Sequence, residues 1–256
     1  MDRNAISSSL NQDPGWAAYA LADLDPKYQE YCTWRAAGDS VVLEYIGLDP
    51  PVLFAAGNAD EVAQLFAEVP EGRYQYTFLD QHYALIKPRL EVEIEARMWR
   101  MVLDRSSFSR VIPHSTRRLS RSDSMAIEVL TQNQPDSPDA YHPSQLEEPG
   151  VFYGWFEDNI LIAMAGTHIV SVEFSVAAIG NIFTRPDRRG QGLGTQVTQA
   201  VTSHLVNNGF ELIVLNVSLT NSPAIRCYDK VGFEPHCQYL EGIGRLSPPN
   251  QDILGQ

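Results

Sequence analysis

The sequence holds few cysteines: Cys32, Cys227 and Cys237, three in 256 residues. An odd number without metal-ligand spacing fits a reduced, cytoplasmic interior better than a disulfide framework. No run reaches the ~18 uncharged apolar residues of a membrane span. Met1 to Asp13 is polar and lacks a secretory apolar segment, so neither membrane insertion nor export is expected. Positive charge is scarce as well. A formal net charge of −13 argues against non-specific nucleic-acid binding. There is no Gly-Lys-Ser/Thr of a P-loop and no Gly-x-Gly-x-x-Gly of a dinucleotide site. Internal repeats and low-complexity tracts are absent too.

What is present is ordinary globular material, 44% apolar and 20% charged, long enough for one or two domains. Residues 1–25 read as polar and loosely ordered at the start. Val41–Ile46, Pro51–Ala56, Tyr74–Leu79 and His82–Ile86 read as strands or short apolar runs. Ala59–Glu68 reads as a helix with Val62, Leu65 and Phe66 on one face. Val92–Leu103 is ambiguous. Residues 104–115 form a boundary, giving an N-terminal α/β domain over 1–115 and a second domain over 116–256.

The second half is clearer. Thr116–Leu119 is a short strand, and Ser122 caps a helix carrying Met125, Ile127, Val129 and Leu130. Gln132–Pro149 is polar and holds four prolines, so it is a loop or a broken helix. Val151–Phe156, Ile160–Thr167 and Ala177–Thr184 are strands, the first two joined by a tight Glu157-Asp158-Asn159 turn. Leu193, Val197, Ala200, Val201 and Leu205 share a helix face that ends at Gly209. Leu212–Val217 has the apolar character of a buried parallel strand. Pro223 opens a short helix after Asn221 and Ser222, Gly232 closes it, and Phe233–Leu240 is the last strand.

Arg188-Arg189-Gly190-Gln191-Gly192-Leu193-Gly194-Thr195 joins a strand to a helix. The first N–H groups of a helix lack intrahelical partners, its dipole favours an anion, and glycine lets a ligand approach the backbone. Arg185, Arg188 and Arg189 concentrate positive charge here in an acidic chain, which points to a phosphorylated ligand.

Arg189-x-x-Gly192-x-Gly194 after Ile182-Phe183-Thr184-Arg185-Pro186 resembles the acyl-CoA motif of the GNAT superfamily of acyltransferases. Asn221 and Tyr228, followed by Asp229-Lys230-Val231-Gly232-Phe233, resemble that family's second motif. The resemblance covers roughly residues 116–240 and is similar to the subgroup that includes glycine N-acyltransferase. It implies a mixed α/β fold, a central mixed β-sheet flanked by helices, and it allows a degenerate second copy in the N-terminal domain. It also implies acetyl-CoA, or another acyl-CoA, as co-substrate, with no metal. Ile182, Phe183 and Thr184 would pair through backbone groups with the pantetheine arm and supply a donor to the thioester oxygen. Gly190, Gln191, Gly192, Leu193, Gly194 and Thr195 would bind the pyrophosphate, with Arg189 nearby. Asn221 would bond the pantetheine arm or orient the next helix, or serve only as a cap. Tyr228 would protonate the leaving thiolate as general acid, or be a core aromatic.

The implied reaction is direct transfer of an acetyl group to the amine of a small molecule or amino acid. A protein or peptide N-acetyltransferase and a non-catalytic acyl-CoA sensor are the alternatives. Many relatives place a Glu where this chain has Asn216, and an amide cannot accept the amine's proton. Glu173, His168 or an ordered water chain could stand in for it. The acceptor would meet Gln132–Pro149 and His236–Leu240, where Asp136, Asp139, Glu147 and Glu148 suit a cation or form a solvated loop. The N-terminal domain would complete that pocket or mediate a homodimer.

Overall fold

The computed structural model describes residues 3–106, 108, 113–131, 143–147 and 149–248. The chain divides into two compact units, Met1–Trp99 with Cys237–Gln256, and Arg100–His236. The segment 104–115 groups with the second unit, and residues from Cys237 onward group with the first.

The first unit opens with two helices, α1 (Arg3–Leu10) and α2 (Pro14–Asp23), where the sequence suggests loose order. Asp13 caps α2 by accepting from the Trp16 N–H, and Pro14 sits in its first turn, where a missing N–H costs nothing. The alanine-rich face of α2 hides its amphipathicity from a periodicity search, yet Trp16, Ala17, Ala18, Ala20, Leu21 and Ala22 are all buried. Trp16 is only 1% exposed. Its indole N–H donates to the Ala55 carbonyl at 3.0 Å, and its ring packs on Phe54 and Tyr239.

Five strands and two helices follow: β1 (Cys32–Ala37), β2 (Ser40–Tyr45), β3 (Val52–Ala56), α3 (Ala59–Ala67), β4 (Gly72–Phe78), α4 (Asp80–Ile86) and β5 (Leu90–Leu103). The half-buried β1 carries no clear sequence signal. His82–Ile86, expected as a strand, is helical instead: His82, Tyr83 and Ile86 are its buried residues, a spacing that fits one helix face. The ambiguous 92–103 run is strand. The β1–β2 and β2–β3 pairs are antiparallel, whereas β3 and β4 are parallel and joined through α3.

In the second unit β6 (Thr116–Arg118) and α5 (Ser124–Thr131) precede β7 (Tyr153–Glu157), β8 (Ile160–Ser171), β9 (Val176–Thr184), α6 (Leu193–Asn207), β10 (Leu212–Ser218), α7 (Ser222–Val231) and β11 (Phe233–Leu246). The start of α5 differs from expectation. Ser120, not Ser122, forms a capping box with Asp123, and Ile127 and Leu130 face inward while Met125 and Val129 are exposed. Asp158 and Asn159 take the left-handed conformation that a two-residue hairpin needs. β6–β7, β7–β8 and β8–β9 are antiparallel, and β9–β10 is parallel across α6. Residues 132–142 and 148 of the anticipated loop, with Asp136, Asp139 and Glu148, lie outside the described residues. Glu147 pairs with Arg121.

Both units repeat one plan: two antiparallel strand pairings, then a helical crossover to a parallel strand. In the first it runs β1-β2-β3-α3-β4, and in the second β7-β8-β9-α6-β10. The N-terminal half is therefore a second, diverged copy of the same fold. β11 runs six residues beyond the expected end, and Leu240–Leu246 pairs antiparallel with β4.

Trp16→Ala should lower the unfolding free energy by about 3–5 kcal/mol, measured by urea titration, because it removes a fully buried ring and leaves a carbonyl unanswered. Burial pushes the Asp23 carboxyl from 3.8 up to about 8. The folded chain thus holds a proton that the unfolded chain has released between about pH 4 and 8, so stability falls as pH rises through that window. Asp23→Asn should flatten that slope and raise the urea midpoint at pH 8 more than at pH 5.

Candidate functional site

The site lies in the second unit, where β9 leaves its neighbour and turns into α6. The β9–β10 ladder runs from Val176↔Leu212 to Ile179↔Leu215, and no further pair follows. Beyond it, Gly180 to Thr184 keep their pairing with β8 on one side, through Gly166↔Gly180, Met164↔Phe183 and Ala163↔Thr184. On the other side their main-chain groups face the opening between the strands. Such an edge pairs readily with an extended, amide-bearing chain. Phe183 is buried in the cluster of Ile127, Leu130, Phe152 and Met164, while Ile182 and Thr184 are half-buried.

The turn that follows needs glycine. Gly190 and Gly192 have φ of +79° and +78°, and nothing lies within 4 Å of where a Cβ would stand at either. At Gly194 the nearest atom to such a Cβ is Thr184 Oγ1 at 3.4 Å, so packing does not demand glycine inside this helix. Gly192 is the N-cap of α6 and supplies no side-chain acceptor. The first intrahelical bond of this turn is Gln196 N–H to the Gly192 carbonyl. The N–H groups of Leu193, Gly194 and Thr195 therefore lack helical partners and point, with the dipole, at open space. This cradle has the donors, the room and the sign of potential that a pyrophosphate requires.

Of the three arginines, two are tied to carboxylates. Arg185 pairs with Asp187, and Arg188 with Glu157 and Asp187. The hydrogen bond from Arg185 holds the Asp187 carboxyl below its usual value. Arg189 is exposed and donates from Nε to the Thr184 carbonyl, which bridges the ends of the turn. Thr195 Oγ1 donates to Cys227 Sγ at 3.3 Å and ties the first turn of α6 to α7.

The second motif lands on α7. Asn221 is its N-cap, accepting from the Ala224 N–H at 3.2 Å, so its carbonyl is spent on orienting the helix. Tyr228 is buried at 7% exposure on the same helix. Asn216 is half-buried on β10, one residue past the last β9–β10 pair. Glu173 is exposed in the β8–β9 turn, about 20 Å of strand from the split at 3.3 Å per residue. His168 fares better as a candidate. The β8–β9 register shifts around it, and its ring fills the space where a Gly180 Cβ would lie. Asn181, beside Gly180, escapes notice in the sequence, although a Gly-Asn pair inside an apolar strand is a bulge signal.

The corresponding helix start in the first unit is closed. Asn58 Oδ1 accepts from the N–H groups of Asp60 and Glu61, both acidic residues in the first turn of α3. Side-chain carbonyl and negative charge already occupy the place of an anion. Calorimetric titration should therefore give one acetyl-CoA per chain. Gly192→Asp should weaken that binding at least tenfold, since it adds a carboxylate and backbone strain at the cradle.

A profile of the Acetyltransferase (GNAT) family matches residues 119–233. An uncharacterized N-acetyltransferase of Bacillus subtilis, YobR, is 37% identical over 94 residues, 37% of each chain. A mycothiol acetyltransferase of Saccharomonospora viridis is 43% identical over 60 residues, 22% of this chain and 20% of that one. The chain thus matches about a third or less of the length of these two relatives. A putative [ribosomal protein bS18]-alanine N-acetyltransferase of Bacillus subtilis is 30% identical over 110 residues, 43% of this chain and 71% of that protein. A putative GNAT acetyltransferase from Novosphingobium aromaticivorans has a similar structure, with TM-score 0.63 at 20% identity over 92% of this chain and all of that one. At that identity the likeness is one of fold, and it spans both units. Open strand edge, uncapped glycine turn and sequence match agree: the chain belongs to the GNAT family of acetyltransferases.

Proposed function

We propose that this chain transfers an acetyl group from acetyl-CoA directly to the amine of a small molecule or amino acid. The observation that carries the reading is the adjacency of an unpaired β9 edge and an uncapped helix start. The edge at Ile182–Thr184 takes the pantetheine amides, and a main-chain N–H there supports the thioester oxygen as it gains charge. The turn from Arg189 to Thr195 takes the pyrophosphate.

The neutral amine attacks the thioester carbon, the C–N bond forms and the C–S bond breaks. Tyr228 gives its proton to the departing thiolate and recovers one from solvent. The surplus amine proton leaves to water, since Asn216 cannot accept it. With its three cysteines in no disulfide among the described residues, a reduced cytoplasmic setting fits this chemistry.

A second reading has one observation in its favour. The bS18-alanine relative is matched over most of its length, which supports a protein α-amine as acceptor. Thiol release from acetyl-CoA, followed with glycine, ethanolamine, putrescine and an alanine-led hexapeptide, separates the two. Turnover with the small amines alone supports the first reading, and turnover with the peptide alone replaces it with the second. Tyr228→Phe should lower kcat by ~100-fold or more while leaving acetyl-CoA affinity unchanged, the signature of a lost proton donor. An unchanged kcat would return Tyr228 to the core.

A further inference from the structure

One buried polar atom at the strand split has no partner. Asn181 is 2% exposed and has a φ of +52°. The β8–β9 register jumps there from Gly166↔Gly180 to Met164↔Phe183, so Asn181 and Ile182 stand opposite the single residue Ala165. This is a bulge whose first residue is left-handed, a place where glycine is the usual occupant and asparagine one of the few tolerated alternatives. Glycine would form the bulge without burying an amide. Asn181 buries one, and only half of it is answered. Nδ2 donates to Gln145 Oε1 at 3.3 Å, whereas Oδ1 has no hydrogen-bond partner among the described residues. Buried carbonyls without a donor are destabilising and rare, and backbone strain at the same residue marks a position held for function.

The chemistry of that oxygen sets the class of ligand. With Nδ2 engaged, Oδ1 only accepts, so its partner must bring an N–H or O–H. Two such donors reach this edge in the proposed reaction, the amide N–H of the pantetheine arm and the nucleophilic amine. The tie to Gln145 separates them. Gln145 precedes Leu146, which packs with Phe183 in one cluster. Thr184, the next residue along the strand, instead faces Gly194 of α6. Asn181 is thus anchored to the side opposite the phosphate cradle. In direct attack both substrates are bound together, and the amine enters from the side that the co-substrate leaves free.

We propose that Asn181 Oδ1 binds an N–H of the acceptor amine and turns its lone pair toward the thioester carbon, an inference that rests on the amine acetyltransferase reading above. The amide takes no proton. It orients the nucleophile, and it favours an amine over a thiol, whose S–H is a weak donor.

The test compares wild type with Asn181→Gly, which suits the backbone but lacks the amide, and Asn181→Asp, which keeps the accepting oxygen. Three quantities are read: acetyl-CoA Kd by calorimetry, KM and kcat for the amine panel by thiol release, and Tm. Asn181→Gly should keep Tm equal or higher, keep Kd within twofold and raise the amine KM at least tenfold, while Asn181→Asp retains KM within about threefold. A tenfold weaker Kd with unchanged KM would assign Oδ1 to the pantetheine arm and overturn the proposal. Unchanged Kd and KM, whatever the Tm, would make Asn181 a structural bulge residue and overturn it equally. If Asn181→Gly does not fold, a tenfold KM rise in Asn181→Asp overturns the proposal and a retained KM upholds it. Wild type that binds acetyl-CoA yet acetylates no amine in the panel sinks the proposed transfer and this inference with it, whereas a wild type that turns over while Asn181→Gly keeps its amine KM sinks this inference alone. Wild type that binds no acetyl-CoA sinks the proposed function itself.

Discussion

Two parallel strands that stop pairing after Ile179↔Leu215 set the terms for everything around them. A strand edge inside a protein needs partners for its main-chain groups, and in the proposed reading the pantetheine arm supplies them along Gly180–Thr184. The residues nearby are arranged for that visitor. Gly190 and Gly192 bend the chain back, α6 begins without a capping side chain, and α7 is pinned to α6 through Thr195 and Cys227. Asn181 on β9 and Asn216 on β10 both follow closely on the last pair of that ladder. In the proposed reading one interrupted ladder supplies the groove, and one uncapped helix supplies the anion site at its end.

The two halves show how little separates a binding site from a scaffold. Both contain a strand, a turn with a left-handed glycine, a crossover helix and a parallel strand. In the first half the turn is short, and Asn58, Asp60 and Glu61 answer the helix start from within. In the second the turn is longer, and the helix start is left open. The topology was kept while the electrostatics at one helix terminus changed sign.

How much can be read from sequence depends on where each signal is stored. The elements from Tyr153 to Val231 are legible because apolar periodicity and glycine or proline punctuation agree along the chain. The glycine turn and the Asn221 cap are legible for the same reason. The α2 helix is not, since alanine gives no contrast between faces, and His82–Ile86 is too short for its period to decide between helix and strand. Charge at the turn is visible as three arginines, but Glu157, which neutralises Arg188, is 31 residues away. Asn181 is only half legible, since the Gly-Asn pair signals a bulge but the partner strand decides which side chain it buries.

β5 and β11 are each fourteen residues long, and each is divided between the two units. The Leu240–Leu246 stretch that completes the β4 edge of the first unit is made only after all of the second unit has been synthesised. The first unit thus stays incomplete until the second has been made. The first unit must wait, with Tyr74, Tyr76 and Phe78 awaiting Leu240 and Leu246, while about 160 intervening residues are added, a long loop to close before the contact is made. The half that comes first along the chain is therefore the last to be complete.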